Sequence, residues 1–128
     1  MIVAGIGCRR GTSAADIEAV VAAALERAGL DKSALSSIAA PAGKCDEPGI
    51  AATACARGVP LVAVSELELK GASKRGITRS ERSLARMGVP SVAEAAALAA
   101  AGAAARLLQP RIALGPATCA LATNGEAP

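Results

Sequence analysis

The sequence contains no aromatic residue, since Phe, Tyr and Trp are all absent from its 128 residues. A core built without them depends on Ala, Val, Ile and Leu, and no flat ring is available on which a nucleobase or a macrocycle could stack. A large ligand would therefore be bound through its edges. Modules that bind single-stranded nucleic acid combine basic groups with aromatic platforms, so we expect no nucleic-acid partner.

Histidine is also absent, and the four cysteines include no Cys-x-x-Cys pair: Cys8, Cys45, Cys55 and Cys119. Zinc sites draw mainly on these two residue types at short spacing. The sequence thus predicts no metal site and no other cofactor. We interpret the cysteines as reduced thiols, most of them buried.

Long apolar runs are missing as well. No stretch of 18 apolar residues occurs, and the alanine-rich run 95–105 is too short and too weakly apolar to cross a bilayer. The chain starts with an apolar segment rather than with the basic residues of a signal peptide. These features predict a cytoplasmic protein without a membrane partner. Its net charge of +3, carried by ten Arg and four Lys, mildly favours anionic ligands.

Apolar runs and turn residues alternate in the order strand, helix, strand, helix, strand, at residues 1–6, 13–28, 35–39, 47–57 and 60–64. A helix and three short apolar runs follow, at residues 91–102, 105–108, 112–114 and 117–122. This order is typical of a three-layer α/β/α fold with a mainly parallel central sheet, a mixed sheet being the variant. We expect one domain over residues 1–122 and a frayed tail over residues 123–128.

A glycine-rich segment, GIGCRRGTS at residues 5–13, joins the first predicted strand to the first helix. Its spacing, G-x-G-x-x-x-G, departs from the dinucleotide fingerprint, and no Lys follows Gly11 as in a P-loop. The second strand also lacks the terminal acid that binds a ribose. Main-chain amides at a helix start, beside Arg9 and Arg10, nevertheless favour an anion. The alternative is a tight turn with two solvated arginines.

Three further features each have a structural and a functional interpretation. Ser91 and Glu94 have the spacing of a capping box. The basic segment, residues 70–86, is by default a solvated loop, although its glycines also suit a lid over an anionic ligand. Cys8 beside Arg9 is either a buried packing residue or a thiol with a lowered pKa.

Four blocks follow one another along the chain: GIGCRRGTS, KCDEPGIAATACARGVPLVAVSELEL, TRSERSLARMGVPSVAEAAALAAAG and GPATCALA. Together they cover most of the sequence and resemble the cobalamin-biosynthesis CobE/CbiG C-terminal domain family. That domain occurs at the end of a longer hydrolase, which opens the lactone of cobalt-precorrin-5A and releases acetaldehyde, and as a stand-alone protein of the aerobic pathway. The chain resembles the stand-alone form, which implies binding or handling of a corrin-ring precursor of the precorrin or hydrogenobyrinic acid type.

Corrin precursors carry many acetate and propionate carboxylates at their rim, which suits edge-on binding by arginines. The resemblance implies substrate contacts at the residues that match the family blocks: Gly7, Cys8, Arg9, Arg10, Gly11, Thr12, Ser13, Lys44, Asp46, Glu47, Ser91, Glu94 and Thr118. Among these, the carboxylates would be received by Arg9, Arg10 and Lys44. Hydroxyl hydrogen bonds would be donated by Thr12, Ser13, Ser91 and Thr118.

Three other functions remain as alternatives. The chain could itself open a precorrin lactone, with a carboxylate such as Glu47 or Glu94 as the general base because His is absent. It could instead hand precursors between other enzymes of cobalamin synthesis, which would then be its protein partners. A nucleotide- or phosphate-binding α/β domain is the third alternative.

Overall fold

The first half of the chain alternates between strands and helices as expected. A computed structural model describes residues 1–124, apart from the side chains of Arg86 and Met87. Within this part the elements are β1 (Ile2–Cys8), α1 (Ala14–Arg27), β2 (Ser37–Pro41), α2 (Pro48–Arg57), β3 (Leu61–Val64), α3 (Glu66–Ala72), α4 (Glu81–Met87), α5 (Val92–Ala101), β4 (Arg106–Leu107), β5 (Ile112–Leu114) and β6 (Ala117–Thr123).

The strands form one mixed sheet in the order β3-β2-β1-β6-β4, and β5 also pairs with β6. The strands β1, β2 and β3 are parallel, as the strand–helix–strand alternation predicts. By contrast, β6 runs antiparallel to β1, β4 and β5. The end of the described chain therefore lies beside its beginning, in the middle of the sheet.

Helices cover both faces of the sheet because β1 is apolar on both sides. Ile2, Ala4 and Ile6 pack in one core cluster with the apolar residues of α1 and α2. Val3 belongs to a second cluster, which contains the buried residues of α3 and α5. Alternate strand residues point to opposite faces, so one strand supplies both clusters. The three-layer α/β fold is thereby confirmed, in its mixed-sheet form.

Small residues bring α5 directly onto the sheet. A Cβ atom added at Gly5 in β1 would lie 2.0 Å from the carbonyl oxygen of Ala93 and 2.5 Å from the nitrogen of Ala97. The helix is almost wholly alanine, and seven of its ten residues are buried. In a core without aromatic rings, close approach of main chains provides the dense packing that large side chains supply elsewhere.

The basic segment, residues 70–86, is not simply a solvated loop, so that expectation is wrong. The last turn of α3 lies within it, and α4 occupies its final third. Ser80 caps α4 by accepting a hydrogen bond from the N–H of Ser83. The Arg75 guanidinium donates to the carbonyl oxygens of Gly102 and Ala105, at 3.2 and 2.8 Å. These contacts attach the segment to the rest of the fold.

Several boundaries differ slightly from the expected ones. β1 continues to Cys8, and β2 is shifted two residues towards the C-terminus. β6 ends at Thr123, which is buried, so the strand reaches one residue into the expected tail. Residues 125–128 lie outside the described residues. Within residues 1–124, no helix combines the length and apolar character needed to span a bilayer.

Candidate functional site

A cavity of about 280 Å³ lies at the carboxyl end of β1, beside the turn between β5 and β6. In open α/β sheets, ligands bind at the carboxyl ends of the parallel strands. Pockets that enclose a drug-sized molecule usually measure about 300–1,000 Å³. A cavity of this volume therefore admits the edge or one arm of a large ligand rather than the whole molecule.

Five of the thirteen residues expected to contact the substrate line this cavity: Gly7, Cys8, Arg9, Lys44 and Thr118. Gly7 pairs with Thr118 across the antiparallel strands β1 and β6. A Cβ atom at Gly7 would lie 2.6 Å from Oγ1 of Thr118, so a side chain there would displace that hydroxyl. The spacing of the first two glycines thus reflects close packing of the strand, against α5 at Gly5 and against Thr118 at Gly7.

Four cationic side chains line the cavity, whereas no carboxylate among the described residues does so: Arg9 after β1, Lys44 after β2, Arg82 in α4 and Arg111 before β5. Within residues 1–124 none of the four forms an ion pair. The ion pairs found there join Arg57 to Glu18, Lys70 to Glu66 and Arg79 to Glu81. Arg10 is exposed and lies outside the cavity. The lining therefore carries positive charge that is not taken up in ion pairs, which favours carboxylates or phosphates.

A main-chain amide in the turn before α1 binds a carboxylate that belongs to the protein itself. The Gly11 N–H donates a 2.8 Å hydrogen bond to Oε1 of Glu47, the N-cap residue of α2. Gly11 has a φ of +78° within a turn that is closed by the Thr12 N–H and the Arg9 carbonyl oxygen. Glu47 thus links two loops and lies outside the cavity, as does the exposed Asp46.

Each of the four hydroxyls expected to donate hydrogen bonds to a ligand forms a hydrogen bond within the protein, two as donors and two as acceptors. Thr12 and Thr118 donate to main-chain carbonyl oxygens, at 2.6 and 3.2 Å. Ser13 and Ser91 accept from main-chain N–H groups as the N-caps of α1 and α5. Of the four, only Thr118 lines the cavity.

Glu94 forms only half of a capping box. The Ser91 hydroxyl accepts from its N–H, but the carboxylate points away from the cap and is fully buried. Oε1 accepts from the N–H groups of Ile77 and Thr78, and Oε2 from the Thr78 hydroxyl and the Arg111 N–H, all within 3.0 Å. Burial raises the pKa of Glu94, but these hydrogen bonds outweigh it and hold the pKa below its usual value. Glu94 does not line the cavity either.

The sequence matches the protein-family model for the cobalamin synthesis G C-terminus over residues 2–122. The chain belongs to this family. It is 36% identical over 121 residues to Protein CobE from a Sinorhizobium species, covering 94% of this chain and 79% of that protein. The resemblance to the CobE/CbiG C-terminal domain family is thereby confirmed, and the chain is a protein of cobalamin biosynthesis.

Solved structures of cobalamin-biosynthesis proteins have the same fold as this family member. CobE, a protein from the cobalamin (vitamin B12) biosynthetic pathway, superposes with a TM-score of 0.89 at 36% identity, covering 95% of this chain and 89% of CobE. The cobalamin biosynthesis protein chiG from Agrobacterium tumefaciens gives a TM-score of 0.79 at 40% identity, covering 98% of this chain and all of that one. Both similarities extend over nearly the whole chain.

Sequence reasoning missed half of the cations that line the cavity in this family member. Arg82 lies in the basic segment, and the interpretation of that segment as a lid was the only indication that it contacts a ligand. Arg111 lies in a short loop between apolar residues, and no local pattern distinguishes it. Ser80 and Ser83 also line the cavity, and Ser83 Oγ is buried without a hydrogen-bond partner among the described residues. These residues converge only through tertiary structure.

Burial raises the pKa of three of the four thiols: Cys8, Cys45 and Cys119. Burial raises the pKa of Cys8, an effect that nearby Lys44 and a hydrogen bond with Thr12 only partly oppose. The interpretation of Cys8 as a thiol with a lowered pKa is therefore wrong. Cys119 is the only fully buried cysteine, and Cys55 is exposed, so the expectation of mostly buried thiols is also wrong. In residues 1–124, no three Cys, Asp or Glu side chains are grouped so that they could hold a metal ion.

Proposed function

We propose that the protein binds a corrin-ring precursor of the precorrin or hydrogenobyrinic acid type by receiving its carboxylate-bearing edge in the cavity. The observation that carries this proposal is the convergence of Arg9, Lys44, Arg82 and Arg111 on a lining without a described carboxylate. Corrin precursors present several carboxylates along one edge, and arginine guanidinium groups bind carboxylates bidentately. Membership of the family supports this ligand class, and the distribution of charge supports this mode of binding.

The size of the cavity supports edge-on binding. At about 280 Å³ it has room for carboxylate arms but not for a macrocycle. Leu114, next to the cavity-lining Gly115, is 47% exposed and offers apolar surface near the rim. The ring would then contact this rim while its arms reach the cations.

Binding is favoured over lactone hydrolysis by the chemistry of the lining. A general base has to come within hydrogen-bond distance of the proton that it removes. The carboxylates of Glu47 and Glu94 already accept hydrogen bonds from main-chain N–H groups, and both lie outside the cavity. A protein that holds a precursor without converting it would pass it to other enzymes of the pathway, which are its proposed partners.

Titration with hydrogenobyrinic acid, followed through the visible absorption of the ring, tests this function. Amino-acid side chains do not absorb visible light, and the absence of aromatic residues leaves the near-ultraviolet bands to the ligand as well. We expect saturable binding that weakens with added salt, as screening reduces the attraction between charges. A corrin with amidated arms should bind much more weakly. Absence of binding at high micromolar ligand, or equal binding of the amidated corrin, would overturn the proposal. Equal competition by ATP would favour the phosphate-binding alternative.

Two neighbouring arginines provide a matched pair of variants. Both side chains are exposed, but Arg9 lines the cavity and Arg10 does not. Arg9→Gln should weaken hydrogenobyrinic acid binding by about 2 kcal/mol, roughly thirtyfold, if its carboxylate pair is desolvated. Arg10→Gln makes the same change in net charge and should alter the affinity by less than about threefold. Equal losses in the two variants would contradict binding in the cavity.

A further inference from the structure

The carboxylate of Glu94 joins two segments that are distant from it in sequence. Ile77 and Thr78 precede it by 17 and 16 residues, and Arg111 follows it by 17. These segments supply four hydrogen bonds of 2.7–3.0 Å to a side chain that is fully buried. Hydrogen bonds to a charged group that is kept from water are among the stronger ones in proteins. Glu94 is therefore a rigid connection between the loop before α4 and the loop before β5.

Both connected segments lead directly into the cavity. Arg111 donates its main-chain N–H to Glu94 while its side chain lines the cavity. The loop at Thr78 continues into Ser80, the N-cap of α4, and α4 carries Arg82 to the same cavity. The segments that carry these two cations are thus hydrogen-bonded to one buried carboxylate.

The connection leaves the positive charges unpaired. Glu94 accepts from three main-chain N–H groups and one hydroxyl, and no ion pair joins it to Arg82 or Arg111. Gly76 gives the carboxylate room, since a Cβ atom there would lie 3.2 Å from Oε1. A salt bridge from Glu94 would neutralise a cation, whereas main-chain hydrogen bonds hold the segment and leave its guanidinium available to an anion.

We propose that Glu94 is a positioning residue for ligand binding, which holds Arg82 and Arg111 at the cavity through its hydrogen bonds to Ile77, Thr78 and the Arg111 main chain. The inference rests on the proposed function, because it assumes that the cavity binds a polycarboxylate. Glutamine cannot replace Glu94, since its amide nitrogen does not accept hydrogen bonds. Whichever way the amide is turned, at least one main-chain N–H loses its acceptor.

The first test compares hydrogenobyrinic acid affinities in a double-mutant cycle. Glu94→Gln should weaken binding by about tenfold or more, because displaced cations no longer meet the carboxylates. In an Arg111→Gln background the same change should weaken binding clearly less, because one of the residues it positions is already removed. Glu18→Gln is the matched control, since Glu18 pairs with Arg57 away from this cavity, and it should bind as the wild type does.

The outcomes separate the two proposals. A wild-type protein that does not bind overturns the proposed function. A wild type that binds, together with an equally tight Glu94→Gln or an equal loss in both backgrounds, overturns the positioning role alone. If Glu94→Gln fails to fold by far-ultraviolet circular dichroism, Thr78→Val and Thr78→Ser replace it, since valine removes one hydrogen bond to Oε2 and serine keeps it. Weaker binding by the valine variant alone supports the role, and equal binding by both overturns it.

Discussion

Replacing Gly5 by alanine should destabilise the fold by about 3–5 kcal/mol, because α5 lies directly against β1 at this residue. The added Cβ atom would lie 2.0 Å from the carbonyl oxygen of Ala93 and 2.5 Å from the nitrogen of Ala97. Both are main-chain atoms, so no side-chain rotation relieves the overlap. Real Cβ contacts stay above 3.0 Å, and the helix would have to retreat from the sheet by about 1 Å.

The magnitude follows from how much of α5 depends on this contact. Seven of its ten residues are buried, and most of them are alanines without flexible atoms that could fill a gap. A gap of about 0.5–1 Å loses roughly a quarter to a half of each van der Waals contact. Added to the usual cost of overpacking, about 1–3 kcal/mol, this reaches the stated range. Since domains are typically stable by about 5–15 kcal/mol, the variant would retain little stability.

Urea unfolding followed by far-ultraviolet circular dichroism measures the effect, because the protein lacks aromatic fluorophores. Gly71→Ala in α3 is the control, since no atom lies within 4 Å of its added Cβ. That variant should be unchanged or more stable by up to about 1 kcal/mol. A Gly5→Ala protein within about 1 kcal/mol of the wild type would refute the packing argument. Because α5 carries Glu94, the retreat should also weaken hydrogenobyrinic acid binding.

Three other predictions concern the carboxylates and thiols. The pKa of Glu94 is lowered in the fold, so its stabilisation is present above the unfolded pKa of about 4.3 and is lost as the pH falls through the folded value. As the pH is lowered, the urea midpoint of Glu94→Gln should therefore fall less than that of the wild type. Equal falls in the two proteins would contradict this role of the Glu94 carboxylate. A thiol reagent should label exposed Cys55 in the native protein. Cys119, whose pKa burial raises to about 12, should be labelled only after unfolding. Labelling of Cys119 in the native protein, detected by mass mapping, would contradict this prediction. Incubation with cobalt-precorrin-5A should release no acetaldehyde above a protein-free control, and release abolished by Glu47→Gln would point to hydrolysis instead.

Local sequence signals predict the elements of this fold better than the pairing of its strands. The helices α1, α2 and α5 begin and end within about two residues of the expected positions, because capping residues such as Ser13 and Gly58 mark them. The apolar run at residues 117–122 predicts a buried segment but not its partner. Its antiparallel place beside β1 is a non-local pairing that periodicity does not encode.

The two arginines of the glycine segment show why only some residues of the cavity could be predicted from the sequence. Arg9 and Arg10 are adjacent in the sequence, which gives no reason to prefer either one as the residue that binds an anion. Both side chains are exposed, but the Arg9 N–H bonds to the carbonyl oxygen of Pro116 at 3.2 Å, and both of these residues line the cavity, whereas Arg10 does not. A motif identifies residues that are close in sequence. Which of these residues lines a cavity depends on how the neighbouring strands pair, here β1 with β6.

The other two cations, Arg82 and Arg111, lie in segments that Glu94 connects, and for Glu94 the sequence does contain a usable signal. A capping box and a buried connection share one hydrogen bond, in which the Ser91 hydroxyl accepts from the main-chain N–H of Glu94. The two interpretations differ in the rest of the helix, where every residue of 92–101 apart from Glu94 is Val, Ala or Leu. A helix with no polar face is buried on most sides, so an acid in its first turn has little chance of reaching water. A buried carboxylate needs several donors, and those donors have to come from other segments. An isolated acid in an apolar helix is therefore better interpreted as a tertiary connection than as a cap, and the segments it connects are where the missing cations should be sought.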